Sequence, residues 1–270
     1  MTVMLPTYNI AKTILCTYNE LKVITPLTSK LFLNTTLNYK YNLFPNNTPV
    51  STPKIKYFGI GLKGYKNLDD QQLAAPYVPK PTNMDLYDPI PIKVVPVTDD
   101  LAPEERSKYR LRVKQNINGQ DYWCYYLKLI EYQSTYVKLI ETDLETKLEE
   151  EIEELDPANL NPEPTDVSTT GSISYDKEQN AVADALITIT GEEILESLSI
   201  IRGDTSLVRV SEIGLYSGED LNVTVDGVSY TEAIYVQLAY HMTSLGDDLS
   251  NPSNVVTRTI RLSSASSYLV

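Results

Sequence analysis

Apolar and polar side chains alternate most clearly between residues 109 and 140. Tyr109, Leu111 and Val113 interleave with Arg110, Arg112 and Lys114, a period of two that predicts a strand with one buried face. Asn118-Gly119 follows, a pair suited to the tight hairpin turn that needs positive φ at its centre. A returning strand over Tyr122 to Tyr132 and a third over Thr135 to Ile140 complete a predicted meander. The pattern recurs later. Ala185 to Thr190, Val208 to Tyr216 and Val256 to Leu262 read as strands, and Val223 to Tyr230 as a hairpin turning on Asp226-Gly227. Tyr235 and Val236 tip Ala233 to Met242 toward strand, because branched and aromatic side chains fit a pleated surface.

The helical period is rarer. Thr190-Gly-Glu-Glu193 is a capping box, Ile194, Leu195, Leu198 and Ile201 form the apolar face behind it, and Gly203 supplies the stop. Asp100 to Arg106 predicts a short helix capped by Asp100, with Pro103 in its first turn. Leu144, Leu148, Ile152 and Leu155 fall four, four and three apart, one narrow stripe on a predicted acidic helix that Asp156-Pro157 ends. Eleven of the 16 prolines lie in residues 1–100, spacing that predicts short strands and extended arms there in place of long helices. The fold class expected is mainly β or α+β: antiparallel meanders and hairpins, one or two short helices, and proline-rich arms. Four segments follow: a proline- and tyrosine-rich region over 1–100, a β-meander over 101–140, an acidic helix and linker over 141–166, and a β-rich domain with one helix over 167–270. The tail, Ser263 to Val270, reads as an arm.

Charge sharpens this division. The 270 residues carry a net charge of −13. Eleven acidic residues and only Lys147 fall within 141–166, so that segment alone holds −10 and the rest of the chain −3. A basic footprint of the kind that binds nucleic acid is missing from this pattern. No apolar run approaches a membrane span, and Met1 to Ile14 lacks the basic start and long apolar middle of a secretory signal. The partners expected are therefore proteins, with neither nucleic acid nor membrane among them.

Candidate chemistry is sparse. Cys16 and Cys124 are too far apart for a CxxC unit and read as small core residues. His241 is the only histidine, so a triad or a multi-histidine metal site would have to use it alone; a satisfied structural histidine is expected. Gly59-Ile-Gly61-Leu-Lys-Gly64 matches GxGxxG, but Pro76, Pro79 and Pro81 come where a dinucleotide fold needs a helix. A glycine-bearing strand with a bulge or a close backbone approach is expected instead. Asp69-Asp70, Asp99-Asp100 and Asp247-Asp248 lack calcium-loop spacing and read as turn or cap residues. No cofactor, metal or catalytic residue is assigned. Tyrosine is abundant, 20 against 3 phenylalanines, and suits half-buried protein–protein contacts.

Two groups of residues resemble tailed-bacteriophage virion proteins. Val210-Ser-Glu-Ile-Gly-Leu-Tyr-Ser-Gly218, followed by Tyr230-Thr-Glu-Ala-Ile234, resembles strands of tail and baseplate components. Tyr57-Phe-Gly-Ile-Gly61, with Ala75-Pro-Tyr-Val-Pro79 and Asn83-Met-Asp-Leu-Tyr87, is similar to a baseplate wedge protein of large contractile-tailed phages. The resemblance covers about a third of the chain and brings no catalytic residues; the glutamate-rich stretch at 141–156 departs from it. It implies a non-enzymatic virion subunit, assembled in the host cytoplasm, that holds baseplate, tail or neck proteins and copies of itself through extended β segments. A connector-ring subunit is the alternative within that class, and a carbohydrate-binding adhesin module the alternative outside it. Tyr57, Tyr77 and Tyr87, with Leu144, Leu148, Ile152 and Leu155, are the expected interaction residues.

Overall fold

Branched and aromatic residues dominate the long strands, and the structure, a computed structural model, pairs them into antiparallel sheets. It describes residues 9–24, 52–68, 73–153, 177–203, 205, 208–225 and 228–265. The chain divides into two units that each draw on both of its halves: residues 1–130 with 188–256, and residues 131–187 with 257–270.

The first unit is built on an eight-stranded sheet. Its path runs β1 (Asn9–Lys12), β14 (Val228–Asp248), β13 (Arg209–Val225), β2 (Lys54–Gly61), β8 (Gln120–Leu129) and β6 (Lys93–Pro96). The short β5 (Pro89–Ile90) pairs with β2, and β7 (Tyr109–Ile117) with β8. The predicted hairpin at 118–119 is present: Asn118 and Gly119 have φ of 53° and 86°, and the Asn116 Oδ1 accepts from the Gly119 N–H. The third strand of the expected meander is not in this sheet. Residues of β10 (Lys138–Asp143) pair with other strands, in the second unit.

β14 runs 21 residues against 17 in β13, and bulges absorb the surplus. At one of them Tyr235 takes a left-handed φ of 54° although its side chain is buried. β2 leaves β13 after the Gly218–Lys54 pair, where Pro53 brings no N–H to the ladder. Tyr57, Leu111, Cys124, Leu127, Tyr216, Val236 and Leu238 fill the core between these strands.

Three helices are described. α1 (Ile14–Ile24) departs from the expectation that residues 1–100 hold no long helix. No proline falls between Pro6 and Pro26, and the Thr13 hydroxyl accepts from the Cys16 N–H as a cap. α2 (Pro103–Arg106) is the short helix expected, but Asp100 does not cap it; its carboxylate serves Arg112, Arg106 and the Tyr125 hydroxyl. α3 (Gly191–Arg202) follows its sequence closely, with Thr190 accepting from the Glu193 N–H and Gly203 left-handed at φ 70°. A Cβ on Gly191 would lie 2.1 Å from the Asn251 carbonyl, so glycine is required where α3 starts.

The second unit carries a five-stranded sheet in the order β11 (Glu149–Glu151), β10, β12 (Lys177–Thr190) and β15 (Val255–Ala265), with β9 (Glu131–Tyr132) also on β12. The predicted acidic helix is absent from its described part. Asp143 Oδ1 accepts from the Glu145 and Thr146 N–H groups, a side-chain turn that reverses the chain. Glu149–Glu151 then returns against Thr142–Ile140 as a strand. Lys138 binds Glu151 at 2.7 Å and Arg261 binds Glu149 at 2.6 Å, so strand pairing neutralises carboxylates that a helix would leave crowded. A small two-stranded sheet of β3 (Tyr65–Leu68) and β4 (Leu73–Pro76) completes the described fold.

Candidate functional site

The three glycines of the GxGxxG match are packing glycines. Gly59 and Gly61 lie in β2 opposite Gly214 and Glu212 of β13. A Cβ on Gly61 would come 2.6 Å from a Glu212 carboxylate oxygen, and one on Gly64 would come 1.9 Å from the Ser211 carbonyl. The close backbone approach, one of the two alternatives expected there, is what these contacts show, and strands, not a helix, come next among the described residues.

That approach builds a buried junction around Glu212, whose side chain is fully enclosed. Its carboxylate accepts from the Lys63 N–H at 3.0 Å, the Tyr87 N–H at 2.8 Å and the Asp88 N–H at 3.1 Å. His241 Nε2 lies 2.9 Å from the same group. Backbone amides thus compensate the desolvation of a charge that the interior would otherwise reject. Ser211 extends the junction by accepting from the Gly64 N–H at 2.8 Å. His241 is buried against Glu212 but is not the fully satisfied histidine expected: its Nδ1 is buried and has no hydrogen-bond partner among the described residues.

The expected interaction residues separate. Tyr57 is fully buried, and burial, reinforced by the Asp220 carboxylate that accepts from its hydroxyl at 3.0 Å, pushes its ionisation far up. It is a core residue and not a contact surface. Tyr87 packs its ring 4.7 Å from His241, and Tyr77 meets Tyr87 edge-on at 5.8 Å. The Tyr77 carbonyl accepts from Asn9 and Thr243, so this pair ties β1, β14 and the Glu212 junction together. Leu144, Leu148 and Ile152 do not share a helical face; Leu148 is 70% exposed, and the Ile152 N–H bonds to the Leu139 carbonyl. Leu155, like residues 226–227 and 266–270, lies outside the described residues.

A cleft that sequence reading did not find opens beside the far half of the β13–β14 hairpin. Its volume is about 610 Å³, and Pro103, Arg106, Arg112, Trp123, Ser229 and Tyr230 line it. Arg112 lies between two rings, 4.0 Å from the centre of Trp123 and 4.7 Å from that of Tyr230. It bonds to Asp100 at 2.8 Å and reaches Glu232 at 3.4 Å. Arg106 sits 3.9 Å over Tyr230, with Asp100 at 3.3 Å and Glu232 at 3.9 Å. Burial pushes the Glu232 carboxyl above its usual range, against the pull of both arginines.

Nearby, Arg110 binds Asp220 at 2.7 Å. Burial works against the Asp220 charge, but Arg110, Tyr57 and Lys56 outweigh it and hold the carboxyl low. Left-handed Leu111, φ 56°, sits between these two arginines. The basic positions of this strand are therefore paired, and Lys114 joins them through Asp121 at 2.7 Å. The legible signal was the Arg-x-Arg alternation; Asp100 lies 12 residues from Arg112, but Asp220 and Glu232 lie more than 100 residues from their arginines, beyond any local pattern.

Among the described residues, no group of three or more His, Cys, Asp or Glu side chains could hold a metal ion, and no helix is long and apolar enough to cross a membrane. Both cysteines are free and buried, and burial raises each thiol to about 11.

Fold and site together define an antiparallel β protein pinned by buried polar junctions. Residues 1–269 match a family of unknown function, DUF7208, and the chain belongs to that family. No curated protein and no solved structure matches it.

Proposed function

We propose that this protein is a non-enzymatic structural subunit of a tailed-phage virion, a baseplate wedge or tail component that holds neighbouring virion proteins through extended β segments. One observation carries the reading. The stretches that resemble phage virion proteins are far apart in sequence yet form one packed module. Glu212, Gly214 and Tyr216 of the first lie opposite Gly61, Gly59 and Tyr57 of the second. Tyr87 and Tyr77 close over the same junction. That the two resembling stretches meet in one packed unit of this fold supports reading them together.

The chemistry of the interior supports an architectural role. Glu212, Glu193 and Asp220 are each tied to backbone amides or to cations that brace the fold. The long β13–β14 hairpin supplies an extended segment of the kind the reading requires. No part of this reading calls for nucleic acid or membrane as a partner. Mass spectrometry of purified phage particles encoding this chain tests it. The polypeptide is expected at a fixed copy number per particle, and averaged images of the particle separate a baseplate position from a neck ring. A chain abundant in infected cells but missing from washed particles would end the proposal.

A further inference from the structure

The β13–β14 hairpin continues past the strand that flanks it. β2 pairs with β13 only as far as Gly218–Lys54, and Pro53 brings no N–H to extend that ladder. β13 and β14 stay paired with each other from Glu219–Ile234 to Val225–Val228. From Leu221 to Val225, β13 therefore has a strand on one side and, among the described residues, none on the other. Leu221, Asn222 and Thr224 are exposed there, Leu221 by 46%. Their printed side-chain bonds run inward to β14: the Thr231 hydroxyl donates to Asn222 at 2.9 Å, and the Thr224 and Ser229 hydroxyls lie 2.9 Å apart. Asp220, bound to Arg110 at 2.7 Å, anchors the base of this ribbon.

An open strand edge presents backbone N–H and C=O groups in the spacing that another extended chain fills. We infer that this edge pairs with the same edge of a second copy of the chain, antiparallel about a two-fold axis at Asn222. The order of residues along the edge selects that partner. Asn222 then faces the partner's Asn222, Leu221 faces the partner's Val223, and Asp220 faces the partner's Thr224. Glu219 falls opposite position 225. No carboxylate meets a carboxylate, and the exposed Leu221 gains apolar cover. An axis centred on a residue joins positions an even number apart, so the outward-facing backbone groups of one copy meet those of the other along the whole edge. A contact between identical surfaces needs this self-complementarity. Two other sheet edges do not offer it: β11 is Glu149–Glu151, where self-pairing sets carboxylate against carboxylate, and β6 ends in Pro96. The paired stretch is shorter than the about 20–30 residues a side of a stable interface, so the dimer is reversible in isolation. The inference deepens the assembly reading, on which its place in a particle rests, by naming a contact between copies. Its test uses isolated protein, so its failure is separate from that of the particle experiment.

Asn222→Cys places a thiol on the axis. Opposed Cα atoms of an antiparallel pair lie about 4.5–5.5 Å apart, within reach of a disulfide. Thr224→Cys is the control: four residues separate it from the partner's copy along the strands, about 14 Å and out of reach. The native cysteines are buried with thiols raised to about 11, so they do not compete. Mild oxidation of the full chain is expected to give the covalent dimer at least about tenfold faster from Asn222→Cys than from Thr224→Cys. Sedimentation equilibrium of the parent is expected to show a monomer–dimer equilibrium with a midpoint below about 1 mM. Asn222→Asp keeps the acceptor that Thr231 uses but sets two carboxylates face to face. It is expected to weaken the dimer at least about tenfold while its melting profile stays near that of the parent. A parent that is monomeric up to about 1 mM, equal oxidation rates at 222 and 224, or a dimer untouched by Asn222→Asp each overturns the inference.

Discussion

Glu212 and Arg106 are both enclosed charges of the same unit, and they are treated in opposite ways. Glu212 has three backbone amides and a histidine on its two oxygens and Gly61 pressed against it. Arg106 has long ion contacts, one aromatic ring and an open cleft. A charge whose bonding capacity is filled inside the protein holds the fold through directional bonds; Arg106 keeps an enclosed Nη2 without a hydrogen bond and is held by ion contacts and a ring instead. Burial alone does not distinguish the two. The bonding partners do.

That contrast can be broken most forcefully at the glycines. Gly64→Ala puts a methyl group into the Ser211 backbone, which has no flexible end to move aside. We expect a loss of more than about 4 kcal/mol, in the exceptional range for a single substitution, read by urea unfolding. Near-parental stability would mean that the Glu212 junction is looser than its geometry implies. Next comes Glu212→Ala, which leaves three backbone N–H groups and His241 without their acceptor and should cost about 3–5 kcal/mol, as for breaking a buried charged pair. A cost below about 1 kcal/mol would place Glu212 with ordinary surface ion pairs and remove one side of the comparison.

Two carboxylates near the cleft sharpen the comparison through pH. Asp220 is held low in the folded protein, so its contribution is present above the unfolded value near 4 and is lost as pH falls through the folded one. Glu232 is held high by burial, so its contribution is present at low pH and is lost as pH rises through its folded value. Urea unfolding at several pH values should show Asp220→Asn losing its deficit on acidification. Glu232→Gln should instead gain on the parent as pH rises from about 4 to 7. The same sign of pH dependence in both variants would contradict the assigned environments.

The smallest effect is expected in the second unit. Arg261 bridges Asp184 and Glu149, but its side chain is 41% exposed and solvent screens both contacts. Arg261→Ala should cost under about 1 kcal/mol. A larger loss would show that this bridge belongs with Glu212 and not with the surface.

Much of the fold was legible in the chain. Thr190, Glu193 and Gly203 marked α3 because capping is local: each residue bonds within one turn of itself. Asn118-Gly119 marked a hairpin for the same reason. The stripe Leu144, Leu148, Ile152, Leu155 misled because its helical spacing says nothing of what the glutamates between face. Asp143 turning back on Thr146, with Lys138 and Arg261 across the sheet, favoured strand. α1 was hidden by prolines that frame it without entering it.

The candidate sites were less legible. Gly61, Gly64 and Glu212 could be read as a packing strand and an acidic residue, but not as neighbours. Nothing in the spacing of Arg106, Trp123 and Tyr230 announces a cleft, since a hairpin more than 100 residues downstream supplies one wall.

The sequence by itself determined where strands alternate, where one helix is capped, and that the acidity is concentrated in one segment, because those properties depend on residues a few positions apart. Only the tertiary structure decided which charges are filled and which are left open. Hydrogen-bond capacity is spent on whatever the fold brings within about 3 Å, and for Glu212 and Arg106 those partners come from distant parts of the chain.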